Sequence, residues 1–274
     1  MTRTRREALL SWYDDEHRSL PWRDGGDPYR VLVREVMAQQ TQISRVAGHY
    51  QRFLRLFPTV EALANASRAD VLSAWSGLGY NRRAHYLQAA AGAITSTGWP
   101  KTVAGLRQLP GVGPYTAAAV ACFAFGEPVA AVDTNTKRVL SRWVGKPLSG
   151  TELAAAADAA LDRTRAADWN QAVMDLAAGI CSPRTPSCGS CPVAAWCADP
   201  SIYVPPPQQG RFVGSTREAR GAVLKTLIGA GKATEVSLAK KSGVAPRRLA
   251  VALAALEREG MIQQSDGAWA LADG

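Results

Sequence analysis

The sequence predicts a mainly α protein in two parts. A helical body over residues 1–200 is closed by a cysteine-bearing segment, and a small module follows at 216–274. Three observations carry this. Apolar residues recur at helical spacing through the first two hundred positions, without β-type alternation. Four of the five cysteines fall together as Cys181-x₆-Cys188-x₂-Cys191-x₅-Cys197. A proline-rich linker, residues 201–215, then separates the body from a stretch of different pattern.

Within the body, helices are predicted over residues 5–16, 28–42, 44–57, 60–65, 69–76, 81–97, 103–108, 115–126, 134–143, 151–166 and 168–180. Helix breakers stand between the runs, as in Gly25-Gly26, Phe57-Pro58, Gly98-Trp99-Pro100 and Gly145-Lys146-Pro147. After the linker, helices over 216–227, 234–242 and 246–259 precede short runs at 261–264 and 268–271. Asp266-Gly267 between those runs is a hairpin cue. Three helices and a hairpin look like a winged helix, whose third helix reads a DNA groove or packs on protein. Residues 211–274 hold ten Lys/Arg against six Asp/Glu, and Arg247 and Arg248 open the third helix, where they would meet phosphates or a base edge.

A chain of 274 residues with 47% hydrophobic content builds sizeable cores. No apolar run follows the basic start, so neither a secretory signal nor a membrane span is expected. Clustered cysteines suit a reducing cytoplasm and a metal centre, while Cys122, in the run AAAVACFAFG, reads as a small core residue. The net charge of +9 favours a polyanionic partner, most simply nucleic acid.

Four motifs carry chemistry. The single Cys-x-x-Cys pair, with one Cys before it and one after, does not fit the two-plus-two pattern of most four-Cys zinc sites; zinc or scattered buried cysteines remain the bland readings. Leu109-Pro110-Gly111-Val112-Gly113-Pro114-Tyr115-Thr116 joins two helical runs, and reads as a phosphate clamp or as a tight turn. Asp133 opens a helical run in VDTNTKRVL, where an Asp is most often an N-cap. Glu35, in Arg34-Glu35-Val36-Met37-Ala38-Gln39-Gln40-Thr41-Gln42, shares a helical side with Val31 and Leu32. It is either an exposed face-boundary residue or a desolvated carboxyl able to hold a proton at neutral pH.

In order along the chain, EVMAQQTQ, LPGVGPYT, VDTN and the cysteine spacing resemble the MutY-like adenine DNA glycosylases of the helix-hairpin-helix (endonuclease III) superfamily, over roughly residues 5–200. Leu20-Pro21-Trp22-Arg23, Gly77-Leu78-Gly79-Tyr80 and Asn170-Gln171-Ala172-Val173-Met174-Asp175-Leu176 add smaller matches. The resemblance implies a two-lobed helix-hairpin-helix glycosylase fold and a 4Fe–4S cluster held by Cys181, Cys188, Cys191 and Cys197. It implies a monomer of the cytoplasm, associated with the nucleoid, acting on double-stranded DNA that contains a mispair or an oxidised base. Glu35 would be the general acid on adenine, Asp133 would stabilise the cationic sugar, and Asn135 would help hold the sugar or a water. Tyr115 stands where lyase-active relatives carry a Schiff-base lysine, which implies a monofunctional enzyme. Arg23 and Asp175 would line the base pocket. Gln40, Thr41, Leu78 and Tyr80 would contact or wedge beside the opposite-strand base, although Tyr80 also reads as an ordinary aromatic. Gly111, Val112 and Gly113 would grip the DNA backbone without reading sequence.

The chain departs from the family pattern in three places. A winged-helix pattern replaces the NUDIX-like domain that reads 8-oxoguanine, Met37-Ala38 replaces a bulkier pair, and VDTN replaces VDGN. Two alternatives stay open: a thymine or uracil glycosylase acting on T·G or U·G mismatches, and a non-catalytic iron–sulfur DNA-binding regulator. Gln39-Gln40 favours adenine over the first, and Glu35 together with Asp133 argues against the second.

Overall fold

A computed structural model describes residues 3–20, 23, 25–205 and 210–272. Pro21-Trp22 and linker positions 206–209 lie outside the described residues. The chain divides into two compact units. The first comprises Met1–Glu35, Pro100–Gln108 and Val112–Pro207; the second comprises Val36–Trp99, Leu109–Gly111 and Gln208–Gly274. Among the described residues, no helix is long and apolar enough to cross a membrane.

In the first unit, α1 (Arg5–Glu16) starts at a capping box: Thr4 Oγ1 accepts from the Glu7 N–H, and Glu7 Oε2 accepts from the Thr4 N–H. The first part of α2 (Pro28–Ala38) follows, then α7 (Val103–Leu106) and α8 (Pro114–Phe125). Gly113 caps α8, Pro114 occupies its first turn and left-handed Gly126 ends it. Asp133 caps α9 (Thr134–Val144); α10 (Gly150–Ala160) and α11 (Ala166–Gly179) complete the set. Leu9, Val139, Leu140, Trp169, Val173 and Leu176 make one apolar core, against which Cys181, Cys191 and Cys197 pack. The cysteine segment itself carries two single 3₁₀ turns, Cys188–Ser190 and Ala194–Trp196.

In the second unit lie the rest of α2, then α3 (Ile43–Leu56), α4 (Val60–Ala64), α5 (Arg68–Trp75) and α6 (Arg82–Thr97). The C-terminal elements run α12 (Thr216–Ala230), β1 (Lys232–Thr234), α13 (Glu235–Ser242), α14 (Pro246–Arg258), β2 (Ile262–Ser265) and β3 (Ala268–Leu271). The sheet order is β1-β3-β2, fully antiparallel, with Lys232 opposite Ala270 and Ile262 opposite Leu271. Asp266 and Gly267 turn the hairpin with φ of 52° and 73°, the two positive values that a type I′ turn needs. This order of elements is that of a winged helix. It sits in the same unit as residues 36–99, where α12 packs on α5.

Three elements differ from the sequence expectation. Helix α2 ends at Ala38, four residues early, because Gln40 turns left-handed at φ 53° and side-chain donors take the carbonyls of Val36, Met37 and Gln39. Helix α10 ends at Ala160 and not at 166, because Asp162 Oδ1 accepts from the N–H groups of Thr164 and Arg165, a local turn that competes with the helix. Strand β1 has no sequence signal, since three residues are too few to show alternation. Arg248 is committed within the module: it donates to the Ser215 carbonyl and to Glu218 Oε2, leaving Arg247 as the exposed cation at the start of α14.

The turn before α8 places Gly111 at φ 72°, where a Cβ would stand 2.4 Å from Tyr86 Cβ. Both the backbone region and the space exclude a side chain. Gly111→Ala should therefore destabilise the protein by about 1–3 kcal/mol, read as a drop in thermal midpoint. An unchanged midpoint would show that the turn and Tyr86 rearrange freely.

Candidate active site

Glu35 sits near the end of the first-unit part of α2 and is 7% exposed. It is not solitary. Arg34 Nε donates to Oε1 at 3.0 Å, and the Tyr115 hydroxyl donates to Oε2 at 2.8 Å. Tyr115 is the second residue of α8, so the hairpin turn aims its phenol at the carboxyl. Burial, followed by the nearby Glu35 and Asp133 carboxylates, pushes the Tyr115 phenol well above its ordinary range. It stays protonated at neutral pH and acts as a hydrogen-bond donor. The Arg34 guanidinium also lies 5.0 Å from the Phe123 ring centroid, which fixes it against α8.

Asp133 is the N-cap that its position suggests: Oδ1 accepts from the Thr136 N–H at 2.7 Å. Its other oxygen accepts from Asn135 Nδ2 at 2.9 Å. Both oxygens of the carboxylate are thereby held by donors at the start of α9. The approach to Asp133 is held by buried Asn170, which accepts from the Ala131 N–H at 2.7 Å and donates to the Val129 and Ala166 carbonyls. Glu35, Tyr115 and Asp133 thus converge, with Asn135 bonded to Asp133.

Arg23 and Asp175 are brought together as a pair. Asp175, 3% exposed, accepts from both terminal nitrogens of Arg23 at 2.6 and 2.7 Å. It also accepts from Arg18 Nε at 2.7 Å and from the Arg18 N–H at 3.1 Å. Burial raises the Asp175 pKa, but the Arg23 and Arg18 hydrogen bonds outweigh it and hold the carboxyl below its ordinary range.

Two buried arginines of α9 carry no motif that singles them out in the sequence. Arg138 donates to Asn135 Oδ1 and to the carbonyls of Ala177 and Cys181. Arg142, 1% exposed, donates to the Ser182, Pro183 and Ile202 carbonyls and to Cys181 Sγ at 3.0 Å. The four cysteines line one cavity of about 460 Å³, counted to its open mouth, together with Arg142, Trp143 and Leu176. No three His, Cys, Asp or Glu side chains among the described residues stand close enough to share a single ion. Four sulfurs lining one cavity form a donor set of soft ligands suited to a metal centre. Burial, reinforced by the neighbouring thiols, pushes Cys191 and Cys197 up when no metal draws off their protons. Arg184 is exposed beside this segment.

The second unit holds the residues expected beside the opposite strand. Gln40 and Tyr80 both have left-handed backbones, at φ 53° and 48°. Thr41 Oγ1 accepts from Arg83 Nη2 at 3.1 Å. Leu78 is 4% exposed, so its side chain packs inward while its carbonyl accepts from Arg83. Val112, in the first unit, is likewise buried, and Gly113 serves as the α8 cap. Arg83, another residue the sequence did not mark, donates to the carbonyls of Val36, Met37, Gln39, Leu78 and Gly79. Burial lowers its pKa to about 10.

Because Asp175 titrates lower when folded, its pairing stabilises the protein fully above the ordinary Asp range, and this contribution fades as pH falls through the depressed value. Asp175→Asn leaves two arginines without their anion and should cost about 3–5 kcal/mol at neutral pH. Urea unfolding at stepwise pH checks this: the gap between wild type and variant should narrow on acidification.

Against this geometry, the HhH-GPD superfamily of base excision DNA repair proteins matches residues 33–157. An adenine DNA glycosylase of Mycobacterium tuberculosis is 42% identical over 234 residues, covering 80% of this chain and 77% of that protein. An adenine DNA glycosylase of Mycolicibacterium smegmatis is 39% identical over 280 residues, covering 96% and 94%. The solved structure of a thermostable thymine-DNA glycosylase superposes with a TM-score of 0.67 at 30% identity, covering 70% of this chain and 93% of that one. A non-covalent endonuclease III–DNA complex, at 21% identity and TM-score 0.62 over 73% of this chain and 97% of that one, shares the fold. The chain belongs to the adenine DNA glycosylase family, within the helix-hairpin-helix superfamily of base excision repair proteins.

Proposed function

We propose that this protein is a monofunctional DNA glycosylase that hydrolyses the N-glycosidic bond of adenine mispaired with 8-oxoguanine or guanine. The observation that carries this reading is the convergence of a buried carboxyl, Glu35, with a helix-capping carboxylate, Asp133, around the phenol of Tyr115. Family membership at about 40% identity supports adenine as the base released.

The target nucleotide leaves the duplex, at a cost of roughly a few kcal/mol, and its adenine meets Glu35. Glu35 gives a proton to the five-membered ring, which makes the base a good leaving group. Tyr115 holds one oxygen of Glu35 in place by donating to it. As the bond breaks, positive charge grows on the sugar and Asp133 stabilises it, with Asn135 and the Thr136 N–H orienting the carboxylate. Water then completes hydrolysis. Tyr115 has no amine with which to form an imine, so strand cleavage by β-elimination is not expected.

Cys181, Cys188, Cys191 and Cys197 would hold a 4Fe–4S cluster. When bound, it supplies a rigid cross-link of the 181–197 segment, and Arg142 faces it with a charge suited to thiolates. Residues 1–200 are read as the glycosylase body, 201–215 as a linker and 216–274 as the winged-helix-like module. The protein is read as a monomer, acting in the cytoplasm at the nucleoid on double-stranded DNA.

A single-turnover panel tests the reaction, using duplexes that hold A opposite 8-oxoguanine, A opposite G, T opposite G and U opposite G. Adenine release from the first two is expected; release of pyrimidines alone would overturn the reading. Borohydride should trap no covalent enzyme–DNA complex on the same substrates. Purified protein should be brown and contain iron, and zinc alone would contradict the cluster.

A further inference from the structure

The C-terminal module reaches a residue expected to stand beside the base opposite the excised one. Tyr80 is left-handed at φ 48°, a backbone region that costs a residue with a Cβ about 1–2 kcal/mol. Such a conformation persists only where its surroundings over-determine it. They do so here. The Tyr80 carbonyl accepts from the Arg83 N–H at 2.8 Å, and the Gly79 carbonyl accepts from Trp75 Nε1 at 3.1 Å and Arg83 Nη2 at 3.2 Å. The side chain is fixed from elsewhere. Arg217, on α12, donates from Nη1 to the Tyr80 hydroxyl at 2.7 Å. The Arg217 and Arg83 guanidinium groups lie 5.7 and 5.6 Å from the ring centroid.

Arg217 is itself anchored. Its Nη2 donates to the Gly210 carbonyl at 2.6 Å. One turn along α12, Arg220 Nη1 pairs with Glu259 Oε1 at 2.9 Å, and that oxygen lies 4.0 Å from Arg82 Nη1 on α6. All these residues belong to one compact unit.

We propose that Arg217 is a positioning residue for Tyr80, so that the winged-helix-like module takes part in recognising the opposite strand through this one side chain. The inference rests on the glycosylase reading above. A phenol held by a charged donor presents its ring in one orientation before DNA arrives, so less rotamer freedom is lost when a base stacks on it. The module thereby contributes to lesion binding from inside its own unit, whatever its third helix touches.

A double-mutant cycle tests this on the full-length protein. Arg217→Ala and Tyr80→Phe are each expected to weaken binding to a duplex holding adenine opposite 8-oxoguanine by about tenfold, as for loss of one hydrogen bond to a charged group. The double variant should be no weaker than either single one. At saturating enzyme, the single-turnover rate of Arg217→Ala should fall by less than its affinity for the same duplex, the split expected of a side chain that acts on binding through Tyr80. Losses that multiply in the double variant overturn the proposal, as does a loss confined to Arg217→Ala, which would mark a direct DNA contact. If Arg217→Ala fails to fold, Tyr80→Phe decides, because it deletes one oxygen; unchanged affinity overturns the proposal. If wild type releases thymine and not adenine, the base assignment fails while the cycle is still read on the T·G duplex. If wild type releases adenine and the losses multiply, the positioning role alone fails.

Discussion

Two buried arginines one turn apart on α9 hold the first unit's functional parts in register. Arg138 and Arg142 spend their donors on backbone carbonyls and one sulfur of the cysteine segment, and Arg138 also bonds to Asn135. The other end of the same helix is capped by Asp133. One rigid element therefore carries the carboxylate at its start and the cysteine segment along its side. Burying a cation is costly unless its hydrogen bonds are met, so the pair is stable only when the segment is folded against it. The cysteines and Asp133 are thus separate in sequence but joined through about two turns of helix.

A parallel arrangement holds the second unit. Arg83 gathers the carbonyls that end α2 and those of the 77–80 turn, so the loops carrying Gln40, Thr41 and Tyr80 share one guanidinium. Two side-chain-bearing residues of these loops, Gln40 and Tyr80, have left-handed backbones. Strain of this kind marks loops whose shape serves contact more than stability. Arg217 adds the C-terminal module to the same set.

Much of this was legible in the sequence. Helical periodicity and Pro/Gly punctuation placed the helices of both units, and the Asp266-Gly267 turn placed the hairpin. Glu35, Tyr115 and Asp133 were reached through the family resemblance of their motifs, and the structure brings them together. What sequence reading missed was of another kind. Arg83, Arg138 and Arg142 look like ordinary helix charges, because their partners are backbone carbonyls far along the chain and carbonyls leave no sequence pattern. Leu78 is expected beside the opposite-strand base together with Tyr80, and its side chain is 4% exposed, a burial that the Gly-Leu-Gly-Tyr string does not reveal. The end of helix α2 is hidden in the sequence for a similar reason: it is set by Arg83, more than forty residues away.

On the proposed mechanism, base release depends on Glu35 as the proton donor, and the fold serves to present it. The most direct measurement is the single-turnover rate of Glu35→Gln, at enzyme concentrations that saturate binding, on a duplex holding adenine opposite 8-oxoguanine. Loss of a positioned acid predicts a fall of about 10²–10⁴-fold with lesion binding retained. A rate within a few-fold of wild type would contradict the claim.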